Sequence, residues 1–502
     1  MKALRPHASE LALGAVAAAA ALLQALHALR GEVIVDIWEH AAVVRELAAR
    51  PWHPTHPLLA LDVPHAFFSP YHLALALASR WLGLTHLIVL AAAGIGNVAL
   101  VAFALRRLMA RLSPLGAQAA PFALLFVFFL WGRKPWLWSG FLHLNALVYV
   151  APYAATFAAG VLLLALSIAL DAIARPSLAR FGALGLLVTL AILTHPTTAA
   201  ALVASLVALL VSRARTDWPR AAAWLCAALV AGGFLALAWP YFSVFDLLTT
   251  QAAEFNEKSR MLYDGVVRCA WPALVLLPVV LARLRRDARD PLALLLLALA
   301  AVYAGGWLSG ATGLGRVLAW IVVVVDIAAA IALVELAQAL GGRWRVLLPA
   351  LALAALLPFA AQHRGPLVRL WRPGPQPWRT LARLLAPVGD RDVVVADPKT
   401  SWMVPALAGR VVASSHPLYW VPDHEARRAA LETFFTAGTS EDRRRAILAQ
   451  TGARWLVIDD AGVPPDERDR LLALGAVRAA EAPYTLVEIS APGSAAAAHP
   501  KP

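Results

Sequence analysis

Long apolar runs recur along this sequence and constrain its fold more than any other feature. A helix needs about 20 mostly apolar residues to span a bilayer. Runs near this length lie at about 10–30, 86–108, 117–133, 145–170, 179–194, 196–212, 220–240, 268–284, 291–309, 317–339 and 344–361. Of the 502 residues, 60% are hydrophobic and only 15% are charged, whereas soluble proteins are about half apolar. The sequence therefore predicts a polytopic α-helical membrane protein with about eleven spans.

The arginine-rich loops between these runs predict how the chain crosses the membrane. Loops rich in Lys and Arg usually stay on the cytoplasmic side. If the N-terminus is cytoplasmic and Ser69–Leu84 lies in the interface, one side collects five such loops: Arg106–Arg111, Arg175–Arg180, Arg213–Arg220, Arg283–Arg289 and Arg343–Arg345. If Ser69–Leu84 spans instead, every later loop inverts. We therefore predict an interfacial Ser69–Leu84 and an extracytoplasmic C-terminus.

The net charge of +13 raises the question of a nucleic-acid partner. The cytoplasmic arginines account for this charge, and no basic stretch carries the interleaved aromatic residues of a strand-binding surface. Cys226 and Cys269 lie in or beside apolar runs, which indicates neither a disulfide framework nor a metal knuckle. The sequence contains no P-loop for nucleotide phosphates. We predict no nucleic-acid partner and no nucleotide hydrolysis.

The composition changes after about Gln362. The runs "DVVVAD" and "RWLVID" are typical of short strands, and helical patterns follow in "HEARRAALETFF", "SEDRRRAILAQ" and "DERDRLLALG". Alternating strands and helices predict a small α/β domain over residues 362–490. Residues 491–502 are of low complexity and are predicted to be disordered. The membrane domain then covers residues 1–361, with its first external loop at 31–85.

The first external loop opens with "GEVIVDIWEHAAVVRELAARPWHPTHP". Its apolar spacing predicts an interfacial helix from Asp36 to Arg50. Asp36 and His40 are one turn apart and share a face of this helix. Asp36 is either a general base at the membrane surface or the N-cap of the helix, and the local pattern leaves both interpretations open.

Several cations depart from the charge rule because they lie in predicted outside loops. Arg133 and Lys134 occur in "FLWGRKPWLWSGFLHLN", and Arg316 occurs in "SGATGLGRVLAW"; Lys258, Arg260 and Arg268 share another such loop. One reason for a cation there is an anionic ligand such as phosphate, which Arg and Lys bind through charge-assisted hydrogen bonds. The alternative is a long side chain that reaches the lipid headgroups.

Histidines and tryptophans near the predicted outer surface are less informative. His195 in "LTHPTTA" is either a helix cap or an acid–base group. His53, His56, His65 and His72, with Asp62, fit no zinc-ligand spacing, so we predict no metal. Trp131, Trp136 and Trp138 are typical of an interfacial aromatic belt.

The layout of spans, loops and end domain resembles the GT-C superfamily of membrane glycosyltransferases, which use lipid-linked sugars. Protein O-mannosyltransferases and aminoarabinose transferases share this plan. Locally the resemblance rests on "VDIWEHAAVVREL", "FFSPYHLALALASRWLGL", "THP" and "GLGR". It implies a GT-C-like membrane domain with a C-terminal soluble domain, in a bacterial inner membrane, acting in cell-envelope glycan synthesis. The soluble domain either holds an acceptor or partner or covers the active site.

The resemblance also implies roles in the first external loop. In the superfamily an acidic residue of this loop activates the acceptor, and the matching position here is Asp36. Many members carry a second acidic residue beside the first. Here Ile37 follows Asp36, and the next carboxylate is Glu39, so either carboxylate is the base. His40 is expected to orient Asp36 or to bind the acceptor.

The donor is expected to be a polyprenyl-phosphate sugar. Arg316, with Arg133 or Lys134, would bind its phosphate, and attack from the opposite face would invert the anomeric carbon. Further candidates for substrate binding are His195, Tyr71, His72 and His143. No cofactor is predicted, and the remaining partners are the bilayer and a glycan, lipid or protein acceptor.

Two other classes compete with an enzyme. A transporter or flippase for a lipid-linked saccharide would carry ionisable residues within its spans. Asp326 and Glu335 are the main examples here, and the sequence has no visible inverted repeat. The third class is a non-catalytic scaffold that keeps the GT-C-like fold.

Overall fold

The computed structural model of the chain describes residues 6–34, 36–214, 217–249, 252–414 and 420–489. The tail predicted at 491–502 lies outside the described residues. The chain divides into two compact units. The helical unit comprises the described residues of Met1–Arg30, Ser69–Tyr71 and Ile88–Pro373. The sheet unit comprises those of Gly31–Phe68, His72–Leu87 and Gly374–Pro502.

Most of the described chain is helical. In chain order the helices are α1 Pro6–Leu29, α2 Ile37–Ala49, α3 Pro70–Leu82, α4 His86–Leu112, α5 Gly116–Phe129, α6 Leu144–Val150, α7 Ala154–Ala174, α8 Leu178–Thr194, α9 Pro196–Arg213, α10 Trp218–Leu237, α11 Val244–Thr249, α12 Ala252–Ser259, α13 Met261–Asp264, α14 Val266–Arg286, α15 Pro291–Leu308, α16 Leu318–Leu340, α17 Trp344–Gln362, α18 Gly365–Trp371, α19 Pro377–Leu384, α20 Pro398–Leu407, α21 His424–Phe435, α22 Glu441–Thr451 and α23 Pro465–Leu472. A 3₁₀ helix, Thr312–Val317, precedes α16.

Nine helices in the described part of the chain are long and apolar enough to cross a membrane. They are α1, α4, α7, α9, α10, α14, α15, α16 and α17. The shorter apolar helices α5 and α8, of 14 and 17 residues, cover the other two predicted runs. Ten of the predicted runs each correspond to one helix, and the chain is a multi-pass membrane protein. The run predicted at 145–170 is instead divided between α6 and α7, and only α7 is long enough to be its span. The predicted interfacial segment forms α3, whose 13 residues are too few for a span.

The helices of the helical unit pack through small residues. Thr189 of α8 donates a hydrogen bond to the carbonyl of Gly185 in its own helix and another to that of Gly232 in α10, both at 3.0 Å. Glycine lets two backbones approach closely enough for such contacts in a membrane. α16 is largely buried, whereas Leu356 is the only buried residue of α17, all of which the structure describes. α16 is therefore a central element of this unit.

The sheet unit contains one five-stranded sheet with the order β2-β1-β3-β5-β4. Its strands are β1 Val393–Val395, β2 Arg410–Val411, β3 Ala453–Asp459, β4 Gly475–Glu481 and β5 Tyr484–Ile489. β2, β1 and β3 are parallel, and β3, β5 and β4 are antiparallel. The predicted strands in "DVVVAD" and "RWLVID" are β1 and β3. The three helical patterns predicted after them are α21, α22 and α23.

The sheet buries the apolar side chains of its central strands. Leu456, Ile458 and Val487 pack against Phe434 of α21 and Leu448 of α22 in one core. This alternation of strand and helix confirms the α/β character predicted from the sequence.

The described residues of the first external loop, apart from Ser69–Tyr71, belong to the sheet unit. Its helix α2 ends at Ala49, because Pro51 disfavours a helical conformation at Arg50. Farther along the loop, the carbonyl of Leu58 accepts a hydrogen bond from the amide of Val411 in β2 at 2.8 Å. Leu59 forms a parallel bridge with Val411. The loop therefore adds a short segment to the sheet beside β2.

Candidate active site

Asp36 occupies the position before the first residue of α2. Its backbone is already helical, with φ −64° and ψ −11°, and in the described structure its side chain makes no capping hydrogen bond to the helix amides. The Asp36 carbonyl accepts the amide of His40 at 3.0 Å, and the residue is partly exposed. The structure therefore does not support the capping interpretation of this carboxylate.

Glu39 has a different environment from Asp36 although it follows three residues later. Its side chain is buried, and its Oε1 atom lies 3.2 Å from Nε2 of His65, which is also buried. The Nδ1 atom of His65 accepts the amide of Phe67 at 3.2 Å. A neutral His65 therefore carries its proton on Nε2, facing Glu39. Glu39 therefore lies beside the imidazole of His65 in a site closed to solvent.

His40 pairs with His72, the residue that the "PYH" motif brings from α3. Nδ1 of His40 and Nε2 of His72 are 2.7 Å apart, and the ring of Phe67 stacks on both. Both histidines are buried. Burial and the neighbouring His40 hold the pKa of His72 well below its usual range. At neutral pH His72 is therefore an uncharged imidazole in a hydrogen-bonded pair.

His56 completes this buried cluster. Its Nδ1 atom accepts the amides of Leu58 and Leu59 at 3.2 and 3.1 Å, and its ring meets His65 edge-on at 5.0 Å. Burial and the neighbouring His65 hold the pKa of His56 well below its usual range. Neutral His56 carries its proton on Nε2, and this pattern suits a donor rather than a metal ligand.

Two other residues were considered as metal ligands in the sequence analysis. His53 and Asp62 are exposed. Among the described residues no group of three or more His, Cys, Asp or Glu side chains is placed to hold a metal ion.

In the helical unit, Arg316 projects from the 3₁₀ turn that contains "GLGR". Its guanidinium lies 5.0 Å from the ring centre of Trp138 and 4.9 Å from that of Phe255. Such cation–π contacts attract a guanidinium to the face of a ring. Its Nη1 donates to the hydroxyl of Ser139 at 2.8 Å. A guanidinium is a side chain that can make planar, bidentate hydrogen bonds to an oxyanion.

The turn itself is fixed by Asn256 of α12. The hydroxyl of Thr312 donates to the carbonyl of Asn256, and the amide of Gly313 donates to its Oδ1 atom at 2.9 Å. A side chain at Gly313 would collide with the ring of Phe255. Because Gly313 has no side chain, the 3₁₀ turn that carries Arg316 can lie close to α12.

Arg133 and Lys134 are both exposed. The residues of the same loop that contact Arg316 are Trp138 and Ser139. Trp138 was predicted as part of an interfacial belt, and the structure gives it this contact as well. Sequence reasoning missed Ser139 and Phe255, because their contacts with Arg316 come from distant parts of the chain. The only local signal was the cationic, tryptophan-rich character of "GRKPWLWSGF".

Three further candidates for substrate binding make hydrogen bonds to other residues of the chain. His195 lies between α8 and α9, with its Nδ1 atom 2.7 Å from the hydroxyl of Thr198. Tyr71 is buried and donates to the carbonyl of Pro152 at 2.6 Å. His143 is buried, with Nε2 bonded to the carbonyl of Trp136 and Nδ1 capping α6. Their roles toward a substrate stay predictions.

No family model and no curated protein matches this sequence. Solved structures do match. The chain is similar to the oligosaccharyltransferase of Archaeoglobus fulgidus in its apo form, with 13% identity over 89% of this chain and 69% of that one, at a TM-score of 0.56. A structure of the same archaeal enzyme, AglB, in complex with an inhibitory peptide and a dolichol-phosphate matches at a TM-score of 0.51 with 12% identity over 89% of this chain and 69% of that one.

Two further structures extend the likeness to bacterial enzymes. ArnT from Cupriavidus metallidurans, bound to undecaprenyl phosphate, is 15% identical over 94% of this chain and 97% of that one, with a TM-score of 0.55. The arabinofuranosyltransferase AftD from Mycobacteria is 18% identical over 95% of this chain and 40% of that one, with a TM-score of 0.50. These neighbours are all GT-C membrane glycosyltransferases. The chain therefore has the fold of the GT-C superfamily of membrane glycosyltransferases.

Proposed function

We propose that this protein is a membrane glycosyltransferase that moves a sugar from a polyprenyl-phosphate donor to an acceptor hydroxyl. The observation that carries the proposal is the placement of Asp36 on a GT-C fold. This carboxylate opens a helix of the first external loop, is partly exposed and caps no helix amide. Glu39, the rival carboxylate, is buried against His65. Asp36 is therefore the better candidate for a base that must reach an acceptor.

The reaction forms a bond from the acceptor oxygen to the anomeric carbon and breaks the bond from that carbon to the phosphate oxygen. The acceptor proton goes to the Asp36 carboxylate, and the polyprenyl phosphate leaves with the electron pair. Attack opposite the leaving group inverts the anomeric centre. Two structural neighbours hold a polyprenyl or dolichyl phosphate, which supports the same donor class here.

Arg316 is proposed to bind the donor phosphate. Its contacts with Trp138 and Phe255 hold the guanidinium in a fixed plane, and a fixed cation stabilises charge that develops on a leaving group. Arg133 and Lys134 are proposed as secondary cations that attract the anionic donor. The distribution of arginines supports a cytoplasmic N-terminus, with the reaction on the opposite side of a bacterial inner membrane.

The proposal is tested with the full chain reconstituted in liposomes that contain lipid-linked sugars carrying a radiolabel in the sugar, with glycans, lipids and proteins of the cell envelope supplied as acceptors. A glycosyltransferase releases polyprenyl phosphate and places the label on an acceptor. A flippase moves the intact lipid-linked sugar between leaflets without cleaving it, and a scaffold does neither. Intact donor in the opposite leaflet, or no change at all, would overturn the proposal.

A further inference from the structure

Glu46 of the first external loop and Arg410 of β2 form an ion pair inside the sheet unit. Only 1% of the Glu46 side chain and 2% of the Arg410 side chain are exposed. The two residues are 364 positions apart in the sequence. A buried charge is costly unless it is paired and hydrogen-bonded, so the pair stabilises the burial of both side chains.

The carboxylate of Glu46 receives a full set of donors. Its Oε1 atom accepts Nε of Arg50 at 2.8 Å, and the amide and hydroxyl of Thr55 at 2.8 and 3.0 Å. Its Oε2 atom accepts Nη2 of Arg50 at 2.6 Å and Nη2 of Arg410. Burial alone would raise the pKa of Glu46, but the hydrogen bond from Arg50 and the charge of Arg410 hold it below its usual value.

The backbone at Gly409, just before β2, contacts both Arg410 and Arg45. Nη1 of Arg410 donates to the carbonyl of Gly409 at 3.0 Å. Gly409 has a φ of +57°, and a side chain there would lie 2.8 Å from the carbonyl oxygen of Asp392. The carbonyl of Gly409 accepts Nη2 of Arg45 at 2.9 Å. The end of α2 is therefore bound to β2 through two arginines, Arg45 and Arg410.

The start of α2 has a second, independent attachment to the C-terminal region. Trp38 packs edge-on against Trp378 of α19, with ring centres 5.7 Å apart. The indole Nε1 of Trp378 donates to the carbonyl of Gly31 at 2.8 Å. Together with the Leu59–Val411 bridge, these contacts fix both ends of α2 and the loop after it to residues beyond 374.

We propose that the C-terminal α/β region is the support that positions α2, and that Arg410 is its main positioning residue. This inference rests on the proposed function insofar as α2 carries the base Asp36. Arg410 acts through Glu46 and touches no substrate. The C-terminal region is then an integral part of the catalytic loop rather than a separable acceptor-binding module.

The test measures backbone hydrogen exchange in the full chain, in detergent or nanodiscs. Arg410→Ala removes one of the two arginines that pair with buried Glu46 and the one that connects it to β2. Exchange in residues 37–49 should therefore rise about tenfold or more, as expected for local unfolding. Exchange in α7 and α16 should not change. Arg383→Ala is the matched control, because Arg383 forms an exposed pair with Glu481 in the same unit; it should leave α2 unchanged.

If Arg410→Ala unfolds the whole sheet, exchange in β3 and β5 also rises. In that case a second variant, Trp378→Leu, replaces it. Trp378→Leu removes the attachment at the start of α2 without stranding a buried charge. It should raise exchange in residues 31–40 while β3 and β5 stay protected. Unchanged exchange in α2 for both variants would overturn the inference.

Transfer kinetics separate positioning from a mere loss of stability. Arg410→Ala should lower kcat and leave the affinity for undecaprenyl phosphate within about twofold of wild type. Arg410→Lys should have a kcat between those of Arg410→Ala and wild type, because it keeps a charge beside Glu46. Equal loss with Lys and Ala would contradict a positioning role. The exchange result does not depend on transfer. If the wild-type chain transfers no sugar, the proposed function fails. The exchange data then still show whether the C-terminal region positions α2.

Discussion

The carboxylate of Glu39 and the Nε2 atom of His65 lie 3.2 Å apart, and both side chains are buried. Asp36, one turn earlier on the same loop, is partly exposed. Two carboxylates in such different environments are suited to different roles. We therefore propose Asp36 as the group that exchanges a proton with an acceptor, and Glu39 as a structural neighbour of His65 in the buried histidine cluster.

Glu39→Gln should preserve this cluster because glutamine has nearly the same shape and keeps an oxygen facing His65. We expect transfer to stay within about tenfold of wild type and the free energy of unfolding to fall by only about 1 kcal/mol. His65→Ala removes the buried imidazole that faces the Glu39 carboxylate and should cost about 2–3 kcal/mol. Initial transfer rates and thermal unfolding measure both effects. Complete loss of transfer in a folded Glu39→Gln protein would make Glu39 the base.

Arg316→Ala should weaken undecaprenyl phosphate binding by about 10–100-fold, because a charge-assisted hydrogen bond is worth about 1.5–3 kcal/mol. Trp138→Ala should weaken it several-fold through loss of a cation–π contact of about 0.5–2 kcal/mol. Titration of the reconstituted protein with the labelled lipid measures both.

Arg343→Ala is the matched control for Arg316. Arg343 also lies over an aromatic ring, that of Trp344, at 5.5 Å, but its loop is predicted on the cytoplasmic side. It should leave lipid binding unchanged. Equal losses for Arg316→Ala and Arg343→Ala would indicate general attraction to the anionic lipid rather than a site.

Stability of the sheet unit should fall in mild acid because His56 and His72 are buried with lowered pKa values. The unfolded chain takes up protons as the pH falls below about 6.5, while the folded histidines do not. Each histidine therefore removes about 1.4 kcal/mol of stability per pH unit below that point. Unfolding between pH 8 and pH 5 should show this slope. His56→Leu should reduce it and exposed His53→Ala should not; equal slopes in all three proteins would contradict the assignment.

Asp326 of α16 distinguishes an enzyme from a transporter. It is fully buried, and neither carboxylate oxygen has a hydrogen-bond partner among the described residues. Asp326→Leu should leave sugar transfer within about twofold and should raise the thermal unfolding midpoint, because an unpaired polar group in an apolar interior costs about 1–3 kcal/mol. Loss of lipid-linked sugar movement in this variant would favour the transporter class.

The membrane spans and α2 were predictable because hydrophobicity and helical spacing are local properties of the sequence. Strands β4 and β5 were not predicted. "GAVRAAE" contains a single β-branched residue, and only its pairing with β5 makes it a strand. Tertiary pairing decides such segments more than their own preference.

The candidate site was predictable only in part. Asp36, His40 and Arg316 stand out by type and position in the chain. The partners that define their environments do not, because Phe255 reaches Arg316 and Arg410 reaches Glu46 only after folding. No local pattern connects residues 364 positions apart. The sequence therefore suggested candidate groups for the chemistry, but not the residues that contact them in the folded chain.

The most direct measurement is the rate at which Asp36→Asn releases polyprenyl phosphate from a labelled lipid-linked sugar in liposomes. We predict that this rate falls by about 100–10,000-fold, the usual contribution of a general base, and that thermal unfolding is unchanged. Asp62→Asn, an exposed carboxylate of the same loop, should keep the wild-type rate. A wild-type rate in a folded Asp36→Asn protein would contradict the assignment of the base.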